Sequence, residues 1–297
     1  MDKRASKDLL LGHGAVIITA ILWSTSGLFI KLLIDIDWHP IHITSARSLI
    51  SSIFLLICRQ FIKTPEKPRF FAKNRGILPL WSGGIAYAIT MLGFVYANSL
   101  TTAANAIILQ YTAPVWAAFL GWYFNREKPH WEHWGAILLV SFGLLLFFRD
   151  GLVSGAIIGD GIAVFSGLAF GATTVFMRMM KDGNPADCML LAHVLCAIFG
   201  IPFFLLNPPL LSVSAILPLM YMGIIQVGLA SLFYAYAIKK ISAVQAMLTA
   251  IIEPILNPVW VMFFTGERPA NTALVGGAII IIAVAASSVI GMKRNGK

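Results

Sequence analysis

Ten stretches of about twenty mostly apolar residues follow one another along this chain, near 12–34, 41–61, 77–99, 102–124, 131–148, 156–180, 187–206, 214–237, 243–265 and 271–291. Each is long enough to carry an α-helix through the roughly 30 Å hydrocarbon core of a bilayer. Membrane β-barrels instead alternate in segments of about ten residues, and these runs are continuous, so helices are expected. The charge content agrees. Only 12% of the 297 residues are charged, against 58% hydrophobic, which is about half the charged share of a soluble domain. A soluble chain of this size needs charge to cover its surface, whereas lipid solvates the outside of a membrane protein. The composition excludes a secreted or cytosolic enzyme, a nucleic-acid-binding module and a disordered chain. The fold class expected is an all-α integral membrane protein with ten transmembrane helices.

The net charge of +9 reads as topology, because the cations lie in short segments between the runs. With the N-terminus inside, the inner segments hold 18 Lys and Arg, six of them between 59 and 75, and the outer segments hold only Arg149 and Arg268. Both termini are therefore expected in the cytoplasm. The first run follows Lys3, Arg4 and Lys7, yet it is too long for a signal peptide and lacks a small-residue cleavage pattern. It is expected to remain as a helix. Cys58, Cys188 and Cys196 are odd in number and form no CxxC; they read as apolar filler, with neither disulfide nor metal expected.

The two halves resemble each other. Shifted by 140 positions, Tyr96, Ala97, Ala103, Ala106, Pro114, Phe124, Glu127 and Pro129 fall on Tyr236, Ala237, Ala243, Ala246, Pro254, Phe264, Glu267 and Pro269. Two repeats are expected, 12–148 and 156–291. Five spans per repeat is an odd number, so the second repeat lies upside down relative to the first. Inverted repeats characterise alternating-access carriers, whose substrate site lies near the midplane between the halves.

The paired motifs, Pro114 followed by Glu127 and Glu253-Pro254 followed by Glu267, together with Trp23-Ser24-Thr25-Ser26-Gly27 and Arg47, make the chain resemble the drug/metabolite transporter superfamily. The EamA type, to which the YddG-like amino-acid exporters belong, fits over about 12 to 291. The resemblance implies a carrier, often an exporter, of amino acids or other small metabolites. A compact chain with short loops and no targeting extension leads to the expectation of a multi-pass protein of the bacterial inner membrane.

Glu253 is the sharpest candidate for substrate binding. It lies ten residues into the ninth span, about 15 Å along a helix. A carboxyl at that depth costs several kcal/mol unless it is neutral, paired or in a wet cavity. Pro254 opens the helix beside it by clashing with the carbonyl of Ala250. A structural carboxyl that bonds freed amides is the competing reading. Gln110 and Tyr111 precede the symmetry mate Pro114, and Tyr87, Gln226, Tyr234 and Thr249 are further polar side chains within spans. Each offers hydrogen bonds to a substrate or, alternatively, to a neighbouring helix. Trp23 offers a face to a flat or methylated ligand, whereas Trp81, Trp122, Trp131 and Trp134 near span ends read as interface anchors. Arg47 suits a substrate carboxylate, but the preferred reading pairs it with Asp160 as a gate or strut. His193 is read as a packed histidine before a proton relay, and His39/His42 and His130/His133 are too few for a metal site. Glu127 and Glu267 complement helix starts. Gly167 and Gly171 make a GxxxG that predicts close helix approach, with the first span as the suggested neighbour.

These features point to a secondary carrier. No GxxxxGK[ST], G-x-S-x-G or H-E-x-x-H occurs, so neither an ATPase of that type nor an intramembrane hydrolase is expected, and no catalytic residue or cofactor is assigned. One deep acid and one shallower cation suit a neutral or aromatic amino acid; the alternative is an organic cation, choline-like or a drug, held by Glu253 and aromatic rings. Partners expected are the small-molecule substrate and the lipid bilayer, with no nucleic acid. Ten spans enclose a cavity within one chain, so a monomer is expected.

Overall fold

The computed structural model describes residues 3–61, 77–101, 103–149, 152, 155–265 and 271–295. Lys63, Lys67, Arg69, Lys73, Arg75, Glu267, Arg268 and Pro269, used in the sequence argument, lie outside the described residues, as does the side chain of Lys31. Among the described residues the regular structure is entirely helical. The chain runs through α1 (Lys3–Ser24), α2 (Ser26–Ile34), α3 (Pro40–Phe61), α4 (Ile77–Leu100), α5 (Ala103–Gln110), α6 (Ala113–Asn125) and α7 (Trp131–Phe147). There follow α8 (Ile157–Met179), α9 (Ala186–Leu206), α10 (Val213–Tyr221), a π-helical segment (Met222–Leu229), α11 (Ala230–Lys240), α12 (Ala243–Ala250), α13 (Ile252–Thr265) and α14 (Asn271–Asn295). Among the described residues six stretches are long and apolar enough to cross a membrane: Lys7–Ile34, Pro40–Phe61, Ile77–Asn98, Ile157–Met179, Ala186–Leu206 and Val213–Lys240. Trp131–Phe147, Ala243–Leu256 and Leu274–Ser287 are shorter apolar helices.

Three apolar runs are interrupted, and the residues at each interruption explain it. Between α1 and α2, the Ser24 and Thr25 hydroxyls donate to the carbonyls of Ile21 and Leu22, each at 2.7 Å, competing with the helical ladder. Between α5 and α6, Thr112 donates to Leu109 O at 2.7 Å, and Pro114, which lacks an N–H, starts the next helix. Between α12 and α13, Pro254 supplies the same defect one residue after Glu253. The breaks after Gln110 and Ala250 are 140 positions apart, the offset that aligns the two halves in sequence.

Small residues let the helices approach closely. An added Cβ at Gly171 would lie 2.8 Å from Ala113 O and 2.9 Å from Ala117 N, and one at Gly167 would lie 2.6 Å from Gln110 O. The GxxxG of α8 therefore packs on α5 and α6, and not on the first span as the sequence suggested. Leu and Ile dominate the exterior, with Leu49, Ile53, Leu138, Ile157 and Leu205 all about half exposed or more, as expected where lipid is the solvent.

One end of the bundle is tied by ion pairs. Arg178 Nε donates to Glu127 at 2.7 Å and its NH1 to Ile238 O at 2.7 Å. Arg59 pairs with Asp187 at 3.0 Å, and Lys240 pairs with Asp8. Glu127, read from sequence as a helix-start acid, is thus the partner of Arg178.

Candidate functional site

The site forms where the two broken helices meet. Tyr111, in the turn after α5, donates its hydroxyl to Glu253 Oε2 at 2.9 Å. That contact joins the break of the first half to the break of the second. Proline geometry opens both turns, so neither side chain is confined to a regular helical face.

Arg47 approaches the same centre from α3. Its NH1 donates to Gln226 Oε1 at 3.4 Å, and its charge acts on Glu253, Tyr87 and His193. The π-helical segment makes this placement. An added Cβ on Gly223 would lie 2.9 Å from Arg47 O, so the π-helix rides directly on the α3 backbone. Gln226 is thereby held between Arg47 and the carbonyl of Trp23, to which its Nε2 donates at 3.3 Å. π-Helical turns of this kind often mark functional positions.

Aromatic rings wall the centre. Trp23 stacks obliquely on Tyr234 and Phe170 at centroid distances of 5.3 and 6.0 Å. The Tyr234 hydroxyl shares a 2.8 Å hydrogen bond with Thr174. Tyr87 meets His193 edge-on at 5.9 Å, and His193 lies between Ser48 and Ser231, each at 3.4 Å. Trp23, Tyr87, Tyr111 and Tyr234 are buried, while Arg47 and Glu253 keep part of their surface open. The two charged groups act on each other across this centre.

Other candidates are placed elsewhere. Arg47 and Asp160 are not brought together. The start of α8 docks on the corner between α4 and α5, where a Cβ on Gly159 would lie 2.8 Å from the carbonyl carbon of Leu100. That docking gives Asp160 to Thr101 and Asn105, at 2.7 and 3.1 Å. Gln110 donates to Ser166 of α8 at 2.8 Å and so serves as helix–helix glue. Thr249 is buried, donates to Gln245 O at 2.8 Å and meets His13 Nδ1 of α1 at 2.8 Å. Sequence reading did not single out Phe170, Thr174 or His13. Phe170 looks like ordinary core, and His13 and Thr174 gain their roles through contacts separated by 236 and 60 positions. Trp260 donates to Ser24 Oγ at 2.7 Å, which fastens α13 to the break after α1.

Comparison with known proteins is consistent along the chain. The family model described as the EamA-like transporter family matches residues 10–149 and 157–289. An uncharacterized transporter of Clostridium kluyveri is 26% identical over 303 residues, covering 96% of this chain and 94% of that protein. The uncharacterized transporter YwfM of Bacillus subtilis is 23% identical, covering 94% of each chain. Human solute carrier family 35 member G1 is 26% identical over 198 residues, 61% of this chain and 50% of the human protein. One solved crystal structure superposes with a TM-score of 0.78 over 96% of this chain and 99% of that one at 16% identity, a likeness of fold alone. With both halves matched, the chain belongs to the EamA-like transporter family and is a multi-pass membrane transporter.

Proposed function

We propose that this transporter is a secondary carrier of small zwitterionic metabolites, neutral or aromatic amino acids foremost, and that it exports them by alternating access between two inverted five-helix repeats of ten spans in all. The observation that carries the reading is the pairing of Arg47 and Glu253, whose charges act on each other, among the buried rings of Trp23, Tyr87, Tyr111 and Tyr234. A guanidinium offers paired donors to a carboxylate, a carboxyl accepts from an ammonium, and the rings suit an apolar or aromatic side chain. Gln226 orients Arg47 and Tyr111 orients Glu253. Phosphorylated substrates would call for several deep cations. The organic-cation alternative uses Glu253 without Arg47, and a guanidinium whose charge acts on that carboxyl weighs against it.

The test is uptake into proteoliposomes of labelled neutral, aromatic and basic amino acids, a choline-like cation and a purine. Saturable uptake of neutral or aromatic amino acids is expected. Arg47→Gln and Glu253→Gln should each raise the half-saturation concentration by about tenfold to a hundredfold, the loss of one charge-assisted hydrogen bond. Uptake confined to the cation, abolished by Glu253→Gln but kept in Arg47→Gln, would replace this reading with the alternative. Normal uptake in both variants would remove these residues from the site.

A further inference from the structure

At the end of the bundle that holds the ion pairs, two buried imidazoles present complementary unfilled nitrogens. Thr249 spends its single hydroxyl proton on Gln245 O at 2.8 Å and offers a lone pair to His13 Nδ1 at 2.8 Å. In the neutral ring the proton of His13 is therefore on Nδ1, and Nε2 is an acceptor. On α7, His133 Nδ1 accepts from the His130 backbone N–H at 3.2 Å, so the proton of His133 is on Nε2. Neither Nε2 has a hydrogen-bond partner among the described residues. The residues are 8% and 4% exposed, and the charge of His133 acts on His13. His133 also lines a polar pocket of about 480 Å³ with Glu127, His130, Arg178, Lys240 and Gln245. A buried acceptor and a buried donor left unfilled are each costly unless something serves them.

We propose that His13 is a proton-binding site of this carrier, filled from that pocket past His133. A hydronium ion has the two ends required. It gives one proton to His13 Nε2, and the water left behind accepts from His133 Nε2–H; the ring becomes an imidazolium, and the reverse transfer restores the neutral ring. The bond from Nδ1–H to Thr249 persists in both forms. Thr249 stands four residues before Glu253, about 6 Å along the chain direction, so the charge gained at His13 is delivered about one helical turn from the carboxyl of the substrate site.

Around His13, α1 itself carries Lys3, Arg4 and Lys7 in its first turns, and its Asp8 is held by Lys240 of α11, which also carries Lys239. On α13 there is Glu253, α12 carries no charged residue, and α14, whose Gly276 packs on Gly143 and Phe147 at the other end of α7, runs back so that its last turn, with Lys293 and Arg294, lies towards the end that holds His133. Glu132 and His130 accompany His133 on and before α7, and Arg126, Glu127, Lys128 and Arg178 border the pocket.

The coupling of this site to transport rests on the carrier reading, but its existence is testable alone. Protein labelled with ¹⁵N-histidine in lipid nanodiscs would be followed as pH falls from about 8 to about 4.5. His13→Asn keeps an N–H donor where Nδ1 stood and removes Nε2. The wild-type-minus-variant signal should begin as a ring protonated on Nδ1 and end doubly protonated. Thr249→Val, which leaves His13 in place but removes the acceptor that fixes its tautomer, should turn the same signal into a mixture of tautomers. A His13 ring that stays neutral throughout, or that starts protonated on Nε2, overturns the proposal. In proteoliposomes, a proton gradient should drive phenylalanine accumulation in the wild type, and that drive should be lost in His13→Asn while phenylalanine counterflow reports whether the substrate path survives. An undiminished gradient response in the variant also overturns the proposal. Absence of phenylalanine transport in both proteins counts against the amino-acid reading, and the nanodisc titration still decides the proton site.

Discussion

Gly167→Ala tests whether the break after α5 is held in place by α8. The new Cβ would stand 2.6 Å from Gln110 O and 2.9 Å from Thr112 Oγ1, where ordinary contact begins at 3.4 Å. The turn would have to retreat by about 0.8 Å, and the nearest obstacle is backbone, which cannot rotate away. Overpacking of this kind costs about 1–3 kcal/mol. Tyr111 lies between the two clashing residues, so a shift of that size stretches its 2.9 Å bond to Glu253 beyond the ordinary hydrogen-bond range. Gly161→Ala is the internal reference: it lies on the same helix, has nothing within 4 Å of the added Cβ, and shares the helix-propensity gain of about 0.5–1 kcal/mol. The difference between the two variants isolates the steric cost. By thermal unfolding in detergent, Gly167→Ala should melt several degrees below Gly161→Ala, about 3–8 °C, and should show weaker substrate uptake at unchanged expression. Equal melting and equal uptake in the two variants would refute the idea that α8 positions Tyr111.

Thr174→Val leaves the buried Tyr234 hydroxyl without its 2.8 Å partner and should cost about 1–3 kcal/mol, most of it recovered by adding Tyr234→Phe; melting curves of the single and double variants decide. Arg59→Leu leaves Asp187, whose side chain is only 9% exposed, with the Asn184 amide but no cation, and should destabilise by about 3 kcal/mol; Asp187→Asn, read in the same melts, should cost less because a long cationic side chain can reach water. Gln226→Glu puts a carboxylate against Arg47 and should weaken binding of amino acids more than binding of the corresponding amines, a contrast measured by competition for uptake.

Much of the architecture is legible in one sequence, because lipid demands long apolar runs and proline marks where they open. Pro114 and Pro254 point to breaks, and breaks are found beside both. Glu253 and Tyr111, chosen separately, turn out to be bonded to each other. What sequence could not supply is which groups meet across the bundle. Asp160 looked like the natural partner of Arg47 by charge, yet the docking of Gly159 on Leu100 assigns it to Thr101 and Asn105. Gln110 and Thr249 have the chemistry of binding residues but are occupied by Ser166 and His13. The π-helical segment has no clear signature of its own: Pro218 weakens the ladder before it, and Gly223 and Gly228 read as ordinary small residues until their closeness to α3 is seen.

The helical stretches are of very unequal length. Lys7–Ile34 and Val213–Lys240 each hold 28 residues, about 42 Å at 1.5 Å per residue, whereas α7 holds 17, about 26 Å. Against a hydrocarbon core of about 30 Å, the long stretches must tilt or protrude and the short one draws the lipid inward. Bilayer thickness is therefore itself a force on this protein. A thicker membrane straightens the elements that carry His13, Trp23, Gln226 and Tyr234 and leaves α7 under-length, so acyl-chain length shifts the relative height of the aromatic wall and the His133 pocket without any change in the protein's own residues.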